Sequence, residues 1–450
     1  MLTLLWFQAG CTPKEKEAET DADLAQAEQA YTAGNYTQAV TLAETALQKK
    51  PDTLPALRLK VRAKVALDHV AAALDTHAEI EKTFPELSSP LLHEIILAII
   101  QTSLENENYF VRSAAVKAVG EMGDPEILPL IIPGMRDQAA FVRFFTVESF
   151  GQVEGPDFLK LIMAAGQDPD GMVRVAAVKV LTQLGKTYQG LEVNKLLATF
   201  ATDSDPTVRL LALSARSKNG DEAAFFQIVS EITTLPNEAQ IAVVAALGGS
   251  GNPDAIPLIK AYSGNADRIL RMSAMEAMGT IASDQFLPQL EKGLNDEDAA
   301  VRGAALTSLG KLGDKKAVPR IEKYLKDPSP IVRLSAAEAL RRLGQNRLAV
   351  YENALKDPDY GVRHFAVSSL RRIWGMEGLP LVRLALKDEA PRVRTAAIRA
   401  IGEIGGAESL SLLKNSMKDP DLAVRTYAAG NTGRLINKIA GKPLKSLKGD

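Results

Sequence analysis

The chain lacks most of the residues that mark an enzyme or a metalloprotein. There is 1 cysteine in 450 residues, Cys11, which excludes an intrachain disulfide and a cysteine-rich metal site. There are 4 histidines, His69, His77, His93 and His364, and none stands at metal-ligand spacing; they read as polar helix-surface residues. No nucleophile elbow, Walker loop, dinucleotide fingerprint or CxxC occurs. Aromatics are only 5% of the residues and the formal net charge is −2, so bulk charge does not mark a nucleic-acid binder. After the N-terminus no run reaches the roughly 18 apolar residues of a membrane span. These absences leave no catalytic residues, metal or cofactor to assign, and no nucleic acid is expected as a partner.

What is present is a repeat. Lys326–Gly344 reads KDPSPIVRLSAAEALRRLG, an Asp-Pro turn, a Val-Arg pair and an alanine-rich helix. Its arginine recurs as Arg112, Arg143, Arg174, Arg209, Arg271, Arg302, Arg333, Arg363, Arg394 and Arg425, with Gln240 where another should stand. The period is about 31 residues, and a fixed period of this size indicates stacked units. Six residues before the arginine stands an aspartate in most units, among them Asp137, Asp203, Asp327 and Asp388. Aspartate favours helix N-caps. Residues three, four and seven past the arginine are small or apolar and give each second helix its buried stripe. Glycines eight or eleven past it are expected to end that helix. First helices often carry an early proline, as at Pro257, Pro319 and Pro380, where its missing N–H costs nothing.

This pattern over about Leu91–Ile439 resembles the HEAT repeat, in the short variety named for phycobilisome-lyase-like proteins. The resemblance implies an all-α solenoid, a right-handed superhelix on the order of 110 Å long, with second helices lining the concave side. It also implies that the Asp and Arg columns form ladders along the stack, a structural role. The pattern departs from the family around Lys186–Glu192, where four residues are inserted, and at Thr234 and Gln240. The ladder should break there, with a bend near Lys218–Gly251. Some proteins with these repeats are enzymes, phycobilin lyases and deoxyhypusine hydroxylase among them. The hydroxylase holds two irons through several His-Glu pairs, and His93-Glu94 alone is too few. A tetrapyrrole-lyase-like activity remains the alternative to a non-catalytic scaffold.

Upstream, Ala27, Gly34, Tyr36, Ala39, Ala43, Ala46 and Pro51 match the tetratricopeptide pattern, with helices expected at about Ala22–Ala33 and Thr37–Lys49. A second, weaker copy covers Leu54–Leu87, with Asp68 in place of the turn glycine. Two such hairpins could hold a peptide or cap the array. Met1–Cys11 resembles a bacterial lipoprotein signal. Ala9-Gly10-Cys11 would be its processing site and Cys11 the lipidated residue, although Gln8 stands where an aliphatic residue belongs. The alternative is an incidental thiol in an unstructured terminus. The chain thus divides into a signal remnant and charged flexible tether (1–19), two hairpins (20–87), eleven repeats (88–439) and a basic tail (440–450).

A protein or peptide partner is expected on the concave face. The position after each arginine runs Phe144, Val175, Leu210, Ile241, Met272, which is either an apolar strip for a partner or a half-buried contact between units. Later units are basic, with Arg342, Arg372 and Trp374 as further candidates, and Leu334 and Glu338 beside Arg342 complete the surface offered. The expected location is a cell-envelope membrane facing the periplasm, with the cytoplasm as the alternative.

Overall fold

The computed structural model describes residues 13–151, 158–184 and 191–439. Cys11 and its signal-like segment, the basic tail and most of the insertion after Lys186 lie outside the described residues. Among the described residues there are helices and turns and no strand. Four helices come first: α1 (Pro13–Thr32), α2 (Tyr36–Lys49), α3 (Leu54–Ala66) and α4 (Val70–Thr83). The charged stretch read as a tether begins α1 instead, because Glu, Lys and Ala are strong helix formers and Pro13 opens the first turn. The first repeat follows as α5 (Pro85–Leu104) and α6 (Tyr109–Met122).

The second helices run from α6 through Ala140–Phe150, Gly171–Leu184, Pro206–Lys218, Asn237–Ser250, Arg268–Ile281, Ala299–Leu312, Pro330–Arg342, Tyr360–Ile373 and Pro391–Ile404 to the final helix, Leu422–Ile439. Each packs against the next, and the final helix packs against α6 and α5. The array is therefore a closed ring rather than the open superhelix expected. Successive first helices share no comparable contact, so the second helices form the tighter, inner layer. Several first helices are short and pass into 3-10 turns, as in Val318–Glu322 followed by Lys323–Lys326. Eleven inner axes spaced about 9 Å apart describe a circle roughly 30 Å across, with an opening on the order of 20 Å.

One rim of the ring carries the ladder. Arg302 donates from Nε and Nη2 to both carboxylate oxygens of Asp327 in the next unit, each at 3.0 Å. Its Nη1 donates to the carbonyls of Asp296 and Glu297 in its own loop, at 2.9 and 3.0 Å. Asp327 Oδ1 in turn accepts from Ser329 N at 2.9 Å. The same forked pairing joins Arg112 to Asp137, Arg143 to Asp168, Arg174 to Asp203, Arg271 to Asp296, Arg363 to Asp388 and Arg394 to Asp419. The column aspartates are therefore not the helix caps. That task falls two residues later, where Asp298 accepts from Ala300 N and Val301 N, and Asp205 and Asp267 do the same.

At the break, Arg209 turns to Glu231 at 3.3 Å. Gln240 is buried, donates to Leu235 O at 2.6 Å and accepts from Tyr262 Oη at 2.9 Å. A neutral pair replaces the ionic rung, and the inner helices pack continuously through it.

The two glycine columns do different work. Gly313 and Gly344, eleven past the arginine, take φ of +82° and +88° and terminate their helices. Gly310, eight past it, lies inside its helix, and a Cβ there would come within 2.6 Å of Ala339 Cα. It permits close approach rather than ending the helix, and Gly120, Gly248, Gly279 and Gly402 meet the next unit in the same way.

The seam where the ends meet is built from small residues. Gly430 lies against Ala118, and Gly433 against Met122. Ser103 Oγ and Thr426 Oγ1 are 2.7 Å apart, and Asn431 Nδ2 donates to Glu121 at 3.1 Å. Elsewhere the glycine eight past the arginine meets the residue six past the next one. At the seam the residue five past takes that place, an offset of about one helical turn, roughly 5 Å.

The N-terminal hairpins strap the seam from outside. α3 and α4 pack on α5, while Lys414 pairs with Glu81 at 3.1 Å and Lys418 with Asp75 at 2.9 Å. Asp68 takes the left-handed turn conformation, φ +61°, that Gly34 takes in the first hairpin, and its carboxylate pairs with Arg425. The aspartate that replaces the turn glycine thus supplies the last rung. α5 is the one described helix long and apolar enough to cross a membrane. Here it is a core helix, with Leu91, Ile95, Ile96 and Ile99 buried.

Three outcomes are expected. In a Cys11→Ser background, Ser103→Cys with Thr426→Cys should oxidise spontaneously and stabilise the fold by on the order of 4–5 kcal/mol. A folded protein whose thiols stay apart would disprove closure. Arg302→Ala strands Asp327 and two carbonyls and should cost about 2–3 kcal/mol in urea unfolding. Burial raises the carboxyls of Asp137, Asp168, Asp203, Asp296, Asp327 and Asp388, but the guanidinium and backbone N–H hydrogen bonds outweigh it and hold them low. Their contribution is complete above the unfolded value near ~4 and is lost as pH falls through the lower folded values. Circular dichroism on acid titration should therefore show the ring surviving to below about pH 4.

Candidate functional site

The inner wall is formed by the exposed faces of the second helices. Its side chains stand mainly two before and five and nine past the arginines, and the positions one and two past are mostly half-buried or buried. The structure divides the expected partner-binding residues into three groups. Phe144, Val175, Ile241 and Met272 are half-buried and pack against the core between neighbouring units. Leu210 is 0% exposed and Trp374 3%, so neither offers a side chain to a partner. Arg342 and Arg372 are exposed.

Leu210 is buried because its unit packs this position inward, as it does Leu334. Trp374 is enclosed by Tyr351, at a ring-centroid distance of 5.7 Å, and by the Arg341 guanidinium, 4.5 Å above its ring. Tyr351 Oη lies 3.0 Å from Ser369 Oγ, and burial pushes its hydroxyl up to about 12.

Glu338 also belongs to the interior. Its side chain is 1% exposed, and it accepts from Ser369 Oγ at 2.8 Å, Arg372 at 2.9 Å and Arg342 at 3.4 Å. The basic character of the later units is thus largely answered from within. Glu403 takes Arg371 at 2.7 Å, Glu121 takes Arg399 at 2.8 Å and Glu377 takes Arg341 at 2.9 Å. Further round the wall, burial raises the carboxyls of Glu148 and Glu276, with nearby lysines opposing it. Burial likewise lowers Lys117 and Lys311.

The sequence reading missed the most exposed apolar column, two residues before the arginine. It contains Phe110 at 54% exposure, with Met172 and Ile269 also exposed. Phe110 and Phe141 join Tyr109, Phe144 and Phe145 in one aromatic group with centroid separations of 4.1 to 6.1 Å. The signal was the concentration of aromatics in the first two units of an aromatic-poor chain. Among the described residues no group of His, Cys, Asp and Glu could hold a metal ion. His93-Glu94 is part of the packing at α5, where Glu94 faces Arg62 at 3.3 Å and Arg58 at 3.8 Å.

Stacked two-helix units with a laddered rim and a continuous inner wall define an all-helical repeat solenoid. A profile of HEAT repeats matches residues 96–181, 227–298, 287–351 and 348–431. That is more than half of the chain, and the protein belongs to the HEAT-repeat family. No curated protein sequence matches. Among solved structures, human deoxyhypusine hydroxylase in complex with glycerol aligns at 19% identity, over 73% of this chain and 98% of its own, with a TM-score of 0.30. The CpcE–CpcF complex of phycocyanin lyase from Nostoc sp. aligns at 21% identity, over 61% of this chain and 94% of its own, with a TM-score of 0.31.

Glu338→Ala should leave Arg342, Arg372 and Ser369 without their shared acceptor and destabilise the ring by about 2–3 kcal/mol. Thermal unfolding would measure it, and a loss below about 0.5 kcal/mol would assign Glu338 to the solvated surface instead.

Proposed function

We propose that the protein is a non-catalytic scaffold whose ring takes a protein or peptide segment on its inner face. We propose further that it is a lipoprotein, anchored through Cys11 to a cell-envelope membrane and facing the periplasm. The observation that carries the scaffold reading is the closed inner wall. It presents half-exposed Phe144, Val175, Ile241 and Met272, exposed Phe110, and paired charges such as Arg372 with Glu338. An opening on the order of 20 Å admits an extended segment or a single helix, whose diameter is about 10–12 Å. Exposed apolar side chains among charges are the usual composition of such interfaces.

On this reading the hairpins of residues 20–87, with their tetratricopeptide-like pattern, are a separate unit whose second hairpin straps the seam. The first residues serve as the anchor. The lipid anchor rests on sequence alone: the sole cysteine follows Ala9-Gly10 and precedes a charged segment. Lipoproteins carry several acyl chains, which stable anchoring requires.

Two measurements test this. A photo-crosslinking residue at Met272 or Glu276 should capture one partner from envelope fractions, and the same residue at Leu384 on the outer face should not. Capture from Leu384 alone would overturn the inner-face assignment. Labelled palmitate should enter the wild type and not Cys11→Ser, and that variant should leave the membrane fraction. An unlabelled wild-type N-terminal peptide would remove the anchor.

A further inference from the structure

The seam carries a cavity of about 370 Å³ on the inner wall, within the size range of small-molecule sites. Five consecutive units build it: the two that begin the array and the three that end it. One side is aromatic. Phe141 meets Phe110 at 6.0 Å and Phe145 at 4.7 Å, both edge to face. The other side is cationic, with His364, Arg371, Arg392 and Arg399. Lys117 joins the two, its Nζ 4.3 Å from the Phe145 ring centroid.

The cations of this cavity are unevenly answered. Arg371 and Arg399 are committed to Glu403 and Glu121. Asp421 is the one carboxylate in the lining, and it accepts from Val424 N at 3.0 Å as a helix cap. Lys117 has the carboxylates of Glu121 and Glu148 in its neighbourhood, with no ion pair to either among the described residues, and no carboxylate there is paired with Arg392. Burial and the three neighbouring arginines hold His364 below its ordinary value. A cavity with aromatic faces on one side and an exposed arginine without an ion-pair partner on the other matches a ligand that is apolar at one end and anionic at the other.

We propose that the seam cavity is a binding site for a small amphiphilic anion, an aromatic or acyl body bearing one carboxylate, sulfonate or phosphate. The body lies against Phe110, Phe141 and Phe145, and the oxyanion meets Arg392 and Lys117. Because the walls come from both ends of the array, only the closed ring assembles the site. Occupancy therefore favours closure by mass action. This reading stands independently of the scaffold and the lipid anchor.

The test uses the full-length protein, with 8-anilino-1-naphthalenesulfonate followed by fluorescence, and 2-naphthoate against the uncharged 2-naphthylmethanol followed by calorimetry. One saturable site per chain is expected, with 2-naphthylmethanol at least tenfold weaker than 2-naphthoate. Arg392→Glu, on the exposed rim of the cavity, should weaken 2-naphthoate at least tenfold while circular dichroism and melting stay as in the wild type. Gly430→Leu, which wedges the seam, should abolish binding although every lining residue is retained. The Ser103→Cys, Thr426→Cys crosslinked ring should bind as the wild type does. Absence of saturable binding, equal affinity for the uncharged probe, or an Arg392→Glu protein that binds unchanged would each overturn the proposal. So would a site that takes an acidic peptide and neither naphthalene anion, which would assign the cavity to a protein partner.

Discussion

Seven arginines of the ladder each hold two units at once. In each, Nη1 fastens the loop of its own unit, and the other two nitrogens grip the carboxylate of the next. That carboxylate already orders its own loop through the N–H two residues on. The rung therefore fixes the angle between neighbours as well as their distance, because a bidentate guanidinium–carboxylate pair is planar and directional. Repeated along the rim, a fixed angle becomes a fixed curvature. The inner glycines and alanines then let the second helices approach more closely than the first helices do. Curvature from the rungs and taper from the small residues together bring residue 425 back to residue 68.

Much of this was legible in the sequence, because it repeats. The Arg and Asp columns, the alanine stripe and the break at Gln240 all show when the units are aligned, and the pairing they imply forms at seven rungs, while Arg333 bonds only its own loop among the described residues. Within the first hairpin the second helix was legible, Tyr36–Lys49 departing by one residue from the helix expected at Thr37–Lys49, whereas the first begins at Pro13 and not at Ala22. Closure was not legible, since no single unit encodes it. It depends on the angle per unit multiplied by the number of units. The sequence still carried a trace. An open solenoid needs polar end faces, whereas the final helix offers Ala428, Ala429, Gly430 and Gly433, and α5 offers a run of isoleucines.

The site was harder to read than the fold for a physical reason. Position along a repeat fixes which face a residue lies on, but not how tightly the neighbouring unit covers it. Leu210 and Phe144 occupy equivalent positions, and one is buried while the other is half-buried. Glu338 looked like surface because its column carries charge in other units, yet two arginines and a serine close over it. Conversely, Phe110 and Arg392 stand two before the arginine, at the first turn of their helices, where periodicity says least about burial. They face one cavity only because the first and tenth units are near neighbours in a ring.

The one-turn offset at the seam bears on how such a protein can change over time. An open solenoid can gain or lose a unit with little disturbance, since each contacts only its neighbours. Here the register mismatch of roughly 5 Å is gathered into a single joint, where glycines at 430 and 433 and the hairpin bearing Asp68 absorb it. One unit more or fewer would misplace that joint by a whole repeat, not by one turn. The number of units is thus a property of the molecule as fixed as the identity of a core residue. Duplication or deletion, the ordinary way in which repeat proteins vary, is closed to it unless the joint is rebuilt at the same time.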